Sequence, residues 1–377
     1  MKKVLSLFAT ALLLTACSND DAGSQDKSSG LPIAFNAEQV DYVTRAAGEI
    51  KGLDVVDGHD GLRQKGFGIF ACYTGKLKYE FTSVSSDFMY NQEIRWESGK
   101  WDYFPLKYWP NEADDMVSFF AYGPYEADPS GDKCIASFQP VNEQGDPWLV
   151  YKLAQNIDDQ VDLLYGVKGT SETENKPWLD LRKLDMETVQ TPIKFSFYHA
   201  LSCIGDVVTL KPAQALLTKL GSYGSVMLDS IVINYTNLTS KARLNLNSTA
   251  PVPNWKAIVS GDMTATRTVI LKPEGTPVVL TDAGQRFTEK GLFYIPLQVA
   301  KELAEAQVTV WYRIKDNEGY MYKGSVSKSF PLDMTNAAVG NKQGITLTLT
   351  EDLDLLHQTY VIDGSNAQDP SYSRVTK

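Results

Sequence analysis

Histidine is nearly absent from this chain: His59, His199 and His357 are its only three, and they lie far apart in sequence. Cysteine is scarce too, at four, and Cys72, Cys134 and Cys203 do not stand at the C-x₂-C spacing that gathers zinc ligands. These two shortages argue against a metal centre and against histidine-based catalysis. With Cys17 committed elsewhere, as argued below, three thiols allow at most one disulfide, so this is no cysteine-stapled scaffold. Basic runs are missing as well. The 36 Lys and Arg stand against 46 Asp and Glu, a formal net charge of −10, which leaves no electropositive footprint for nucleic acid. No nucleophile elbow, phosphate loop or metal motif occurs, so the chain is read as a non-enzyme with no cofactor. The carboxylate pairs Asp114-Asp115 and Asp158-Asp159 lack partner motifs and read as solvated turns. No segment approaches the roughly 20 consecutive apolar residues that a spanning helix needs.

The one apolar run of note opens the chain. Lys2 and Lys3 precede an uncharged stretch from Val4 to Leu14, the flanks and length of a secretory signal. It ends in Leu14-Thr15-Ala16-Cys17, which resembles the bacterial lipobox, where a cysteine sulfur takes diacylglycerol before cleavage makes that cysteine the first residue. Residues 1–16 are therefore expected to be a lipoprotein signal peptide and Cys17 a lipid anchor. Several acyl chains, at about 0.8 kcal/mol per buried CH₂, hold such an anchor without a membrane helix. Residues 17–30, rich in Ser, Asp and Gly, read as a flexible tether. The Asp20-Asp21 pair is similar to export signals of surface lipoproteins.

The rest is dominated by short alternating runs between Gly, Pro, Asn and Asp, such as 66–75, 116–124, 230–238, 306–314 and 344–352. In the last, Ile345, Leu347 and Leu349 alternate with Thr346, Thr348 and Thr350, the pattern of a half-buried strand. Many such strands with turn signals between them predict an all-β protein of β-sandwiches with a few short helices. Helical periodicity is confined to 212–220 and 299–306. We expect two tandem domains, 31–190 and 191–377, with the polar stretch 168–190 as an excursion or linker between them. Trp101, Tyr103, Tyr108 and Trp109 are expected to fill a core, and His199 to be a satisfied core histidine.

The stretch 96–124 carries Trp101, Tyr103 and Pro105, then Lys107-Tyr108-Trp109-Pro110, then Phe119-Phe120-Ala121-Tyr122. Downstream come FSFYHALSCI (195–204), INYTNLTSKARLNL (233–246) and FYIPLQ (293–298). In that order the set resembles the fimbrillin-like (Mfa-like major fimbrial subunit) lipoproteins, the subunits of type V pili, although Cys203 stands where the family usually has Lys. The resemblance implies transthyretin-like sandwiches and a surface-exposed place on the cell outer membrane, within a fimbrium. It implies other fimbrial subunits as partners, with an adhesion ligand on host or bacterial cells.

Fimbrillins of this type lose their first strand to an arginine-specific protease. Thr44-Arg45-Ala46 is similar to that cut region, so Arg45 and Ala46 are the expected processing site and Ile33 and Phe35 mark the removed strand. The vacated groove would recruit a neighbour's strand. Leu353, Leu355, Tyr360 and Ile362 are the candidate donor residues; the alternative is that Tyr360 to Ile362 complete their own domain. Asp229-Ser230-Ile231 is similar to an acidic-Ser-apolar O-glycosylation site. A different function class also stays open, a monomeric surface lipoprotein that binds glycan or a host protein through its aromatic loops.

Overall fold

The computed structural model describes residues 30–39, 55–56, 59–80, 84–169, 171, 173–189, 192–258, 264–297, 304–332 and 340–362. Strands dominate and helices are short: α1 (Leu62–Lys65), α2 (Lys183–Val189) and α3 (Gln214–Leu220). The protein is all-β. No helix among the described residues is long and apolar enough to cross a membrane.

The largest sheet has eight strands. Its path runs β1 (Phe35–Gln39), β12 (Ile193–His199), β10 (Leu164–Val167), β7 (Met116–Gly123), β4 (Phe67–Gly75), β5 (Met89–Glu97) and β6 (Lys100–Asp102), with β11 (Trp178–Arg182) also paired to β7. Successive side chains of a strand point to opposite faces, so this sheet feeds two cores. Phe67, Ile69 and Ala71 of β4, with Val117, Phe119 and Ala121 of β7, fill one. Phe70, Cys72, Phe120 and Tyr122 fill the other. That double burial explains why GFGIFACYTG and MVSFFAYGP are almost uninterrupted apolar runs. The sheet curls around the first core until its ends meet, and the chain just before β1 bonds the chain just after β6. Ile33 N donates to Lys107 O at 2.9 Å, and Trp109 N donates to Leu31 O at 3.0 Å.

A four-stranded sheet runs β16 (Val252–Ala257), β15 (Lys241–Thr249), β9 (Trp148–Lys152) and β8 (Ile135–Phe138). Two five-stranded sheets complete the chain's second half. One runs β19 (Gln285–Thr288), β13 (Ser202–Pro212), β23 (Lys342–Leu349) and β24 (Leu355–Val361), with β20 (Leu292–Tyr294) on β13. The other runs β17 (Thr264–Leu271), β14 (Ser225–Thr239), β21 (Glu305–Lys315) and β22 (Met321–Pro331), with β18 (Val278–Val279) on β14. A small hairpin joins β2 (Val55–Val56) and β3 (His59–Asp60). Ile345, Leu347 and Leu349 are buried and Thr346, Thr348 and Thr350 half-buried, the alternation read from the sequence. Gly344 sits there because an added Cβ would stand 2.3 Å from the Tyr360 ring.

Several expectations meet a different structure. Strand pairing crosses the expected division at residue 190: β12 joins β1 and β10, and β15 joins β9. The eight-stranded sheet extends to His199, because Ile193, Phe195 and Phe197 complete the first core, and the four-stranded sheet joins strands from both sides of the expected division. The stretch 168–190 is more than an excursion. Its Trp178–Arg182 is a strand on β7, and Trp178 and Leu181 pack against that core. Of the helical stretch read at 212–220, Gln214–Leu220 forms a helix, while of 299–306 the described part from Glu305 already belongs to β21.

Candidate functional site

The place where the eight-stranded sheet closes on itself is built by the chain's first described segment. In PIAFNAE, the residues Ile33, Phe35 and Ala37 turn inward, at 1%, 5% and 4% exposure, while Pro32, Ala34 and Asn36 stay outside. Strict period-2 alternation is what a strand with one dry face requires. β1 lies parallel to β12, Phe35 opposite Ile193 and Ala37 opposite Phe195. Phe35 sits between the rings of Tyr103 and Phe119, at centroid distances of 5.6 and 5.8 Å. Burying side chains of this size contributes about 1.5–3 kcal/mol each.

Polar groups fix the register. The Tyr103 hydroxyl donates to Ile33 O at 2.8 Å, and burial pushes its pKa up to about 12, so it stays a neutral donor. Glu38 accepts from Ser196 Oγ and pairs with Lys194 Nζ, both on β12. β1 is an edge strand held on one side by β12. Beside it opens a cavity of about 720 Å³, walled by Phe35, Trp96, Trp101, Trp109 and Met186 among others. Lifting out residues 30–39 would join this cavity to the seats of Ile33, Phe35 and Ala37, a continuous apolar groove with one side of β12 unpaired.

The expected site residues separate into groups. Ile33 and Phe35 lie in this groove. Cys17, Arg45 and Ala46 lie outside the described residues, as does everything after Ile362. Leu355 and Tyr360 lie on β24 of another sheet, antiparallel to β23, with Leu353 in the turn before it and Ile362 just after it, where Ile362 N donates to Lys342 O at 2.9 Å. Leu355 and Ile362 are buried there, and Leu353 and Tyr360 half-buried. In this monomer, then, β24 completes its own domain.

Of the four aromatic residues, Trp101, Tyr103 and Trp109 are buried, whereas Tyr108 is 51% exposed. A binding platform made of that quartet does not exist. His199 Nδ1 and Asp162 Oδ2 lie 2.8 Å apart in a fully buried pair. Asp115 accepts from the Tyr73 hydroxyl, and Asp158 and Asp159 lie in a short 3-10 turn with Ile157. Asp229 is held by Arg313 through bonds of 3.0 and 2.8 Å. Cys72, Cys134 and Cys203 are buried and not disulfide-bonded. Sequence reasoning missed the partnership of β1 with β12. The signal was there in the alternating PIKFSFYH, but periodicity says which face is dry and not which neighbour covers it.

Comparison with known proteins adds to this geometry. Over 147 residues the chain is 29% identical to the fimbrium subunit Fim1C of Phocaeicola vulgatus; the match covers 38% of this chain and 36% of that protein, so the chain spans about a third of the curated relative it matches. A crystal structure of a fimbrial protein from Bacteroides vulgatus is similar in fold, with a TM-score of 0.61 at 19% identity, over 88% of this chain and 98% of that one. The model of the fimbrillin-like family matches residues 59–364, most of the chain, and the protein therefore belongs to the fimbrillin-like family.

Proposed function

We propose that this protein is a structural subunit of a cell-surface fimbria, exported as a lipoprotein through Cys17, cut between Arg45 and Ala46, and polymerised by strand exchange. The observation that carries the reading is the seating of β1. It is a strand at the end of the sheet's path whose side chains supply part of a core; β12 is its one strand partner, and residues 31–33 just ahead of it add two backbone bonds to residues 107–109. Cutting the chain after β1 leaves only noncovalent contacts to hold it. Once β1 is gone, unpaired backbone of β12 and the aromatic groove form a template for an extended segment of another subunit. The tail after Ile362, together with Leu353, Leu355, Tyr360 and Ile362 where β24 detaches, is the donor in this reading.

In this account the partners are other fimbrial subunits, the outer membrane through the lipid, and an adhesion ligand on host or bacterial cells. Two measurements test it together. Unboiled surface extract run on SDS-PAGE should give a ladder of heat-labile multimers, and N-terminal sequencing of that material should begin at Ala46. A single monomer band that begins at the lipidated Cys17 would sink the reading and favour a monomeric surface binder. Cys17→Ala should abolish labelling by a palmitate analogue and hold an unprocessed precursor at the inner membrane.

A further inference from the structure

The second half of the molecule carries an aromatic tip at one end of the β17-β14-β21-β22 sheet. Two loops make it, residues 222–224 ahead of β14 and residues 316–320 between β21 and β22. They flank the same strand end, because Lys315 is opposite Ser225 on one side and Met321 on the other. They also lie close together: a Cβ added at Gly221, next to the first loop, would stand 3.3 Å from Asn317 Oδ1. The tip presents Tyr223 at 80% exposure, Tyr320 at 63%, Tyr322 at 57% and Met321 at 50%. Met321 and Tyr322 are adjacent on β22 and turn to opposite faces, which leaves the three exposed tyrosines as the surface that needs an explanation.

The hairpin that holds Tyr320 and Tyr322 is pre-organised by one residue. Asp316 Oδ1 accepts Glu318 N and Tyr320 N, both at 2.9 Å, and Oδ2 accepts the Tyr322 hydroxyl at 3.2 Å. Asp316 N donates to Tyr320 O at 3.0 Å, and Gly319 N donates back to Asp316 O at 3.2 Å. The other loop is tied by Gly224 N to Leu220 O at 3.2 Å. Exposed aromatic rings on a fixed frame lose little conformational freedom when something covers them. Tyr with Ser, Gly and Asn is also the composition of surfaces built for recognition.

We propose that this tip binds a short neutral oligosaccharide. Three features select that occupant. Charge is balanced locally, Lys315 and Lys323 against Asp316 and Glu318, so no charged ligand is favoured. The tip is small: a stable protein interface takes about 20–30 residues a side, and two short loops fall well below that. The chemistry also matches. An aromatic face stacks on the apolar C–H face of a sugar ring while phenol and amide groups bond its hydroxyls. The inference depends on neither lipidation nor strand exchange.

The test is a glycan array of neutral gluco-, manno-, xylo-, galacto- and N-acetylglucosamine oligosaccharides, beside sialylated and sulfated probes. It is run with the full chain, Tyr223→Ala/Tyr320→Ala, Asp316→Ala and Asp316→Asn. At least one neutral probe should bind the parent chain. The double variant should weaken it about tenfold or more at an unchanged thermal midpoint. Asp316→Ala should also weaken binding, whereas Asp316→Asn keeps the oxygen that accepts the two amides and should retain it. Should the double variant unfold, Tyr223→Ala, which leaves the hairpin untouched, decides the question. The proposal is overturned if no neutral probe binds, if only anionic probes bind, or if folded tyrosine variants bind as the parent does.

Discussion

Phe35 and Tyr108 illustrate what a residue's neighbours decide. Phe35 is 5% exposed between Tyr103 and Phe119, so Phe35→Ala in the unprocessed chain should cost about 3–5 kcal/mol by urea unfolding. Tyr108→Ala, at an outward position, should stay within about 0.5 kcal/mol. The sequence expectation placed Tyr108 in the core with Trp109. Adjacent residues of an extended chain point to opposite faces, and only Trp109 could turn inward. Burial of Cys72 gives a second prediction. Desolvation pushes its thiol from an ordinary 9.0 up to about 12. At pH 8 iodoacetamide should leave Cys72 unlabelled in the native protein and label it once unfolded, as read by peptide mass mapping. The same shift has a sign for stability. The folded form keeps its proton where the unfolded form has lost it, so the contribution is whole below about pH 9 and declines as pH rises from there towards 12.

Strand identity was legible in many elements and strand partnership in few. The alternation in β23 and β1 is a local property, written in residues two apart, and both strands form with the faces read from the sequence. Which strand covers which is set by contacts far apart in the chain. That is why Ile193–His199 looked like the opening of a second unit yet forms the wall against which β1 lies. The groove was legible only through the family resemblance, since nothing in PIAFNAEQ itself says that it can be removed. β24 decides where a truncation that tests the donor must end. Cutting at residue 358 would remove half of β24 together with buried Ile362 and should lower the thermal midpoint. Ending the chain after Ile362 keeps the sheet intact. The variant that lacks only residues 363–377 should fold and be processed as before but fail to extend a fibre. Normal polymerisation without residues 363–377 would move the donor elsewhere.

As a whole molecule the chain joins two apolar cores through one sheet, and one of those cores borrows a strand from the chain's beginning. Contacts made by giving a strand at one end and receiving one at the other are head-to-tail, so they propagate as an open filament rather than a closed ring. The most direct test locks β1 in place. Asn36 and Lys194 are exposed register partners on β1 and β12, and neighbouring strands lie within disulfide reach at about 4.7–4.9 Å. The Asn36→Cys/Lys194→Cys protein, cut at Arg45 with an arginine-specific protease, should stay monomeric while oxidised, because β1 cannot leave. Reduction should release the strand and start polymerisation, followed by light scattering. Fibres of equal length and number from the oxidised and reduced protein would contradict strand exchange at this groove.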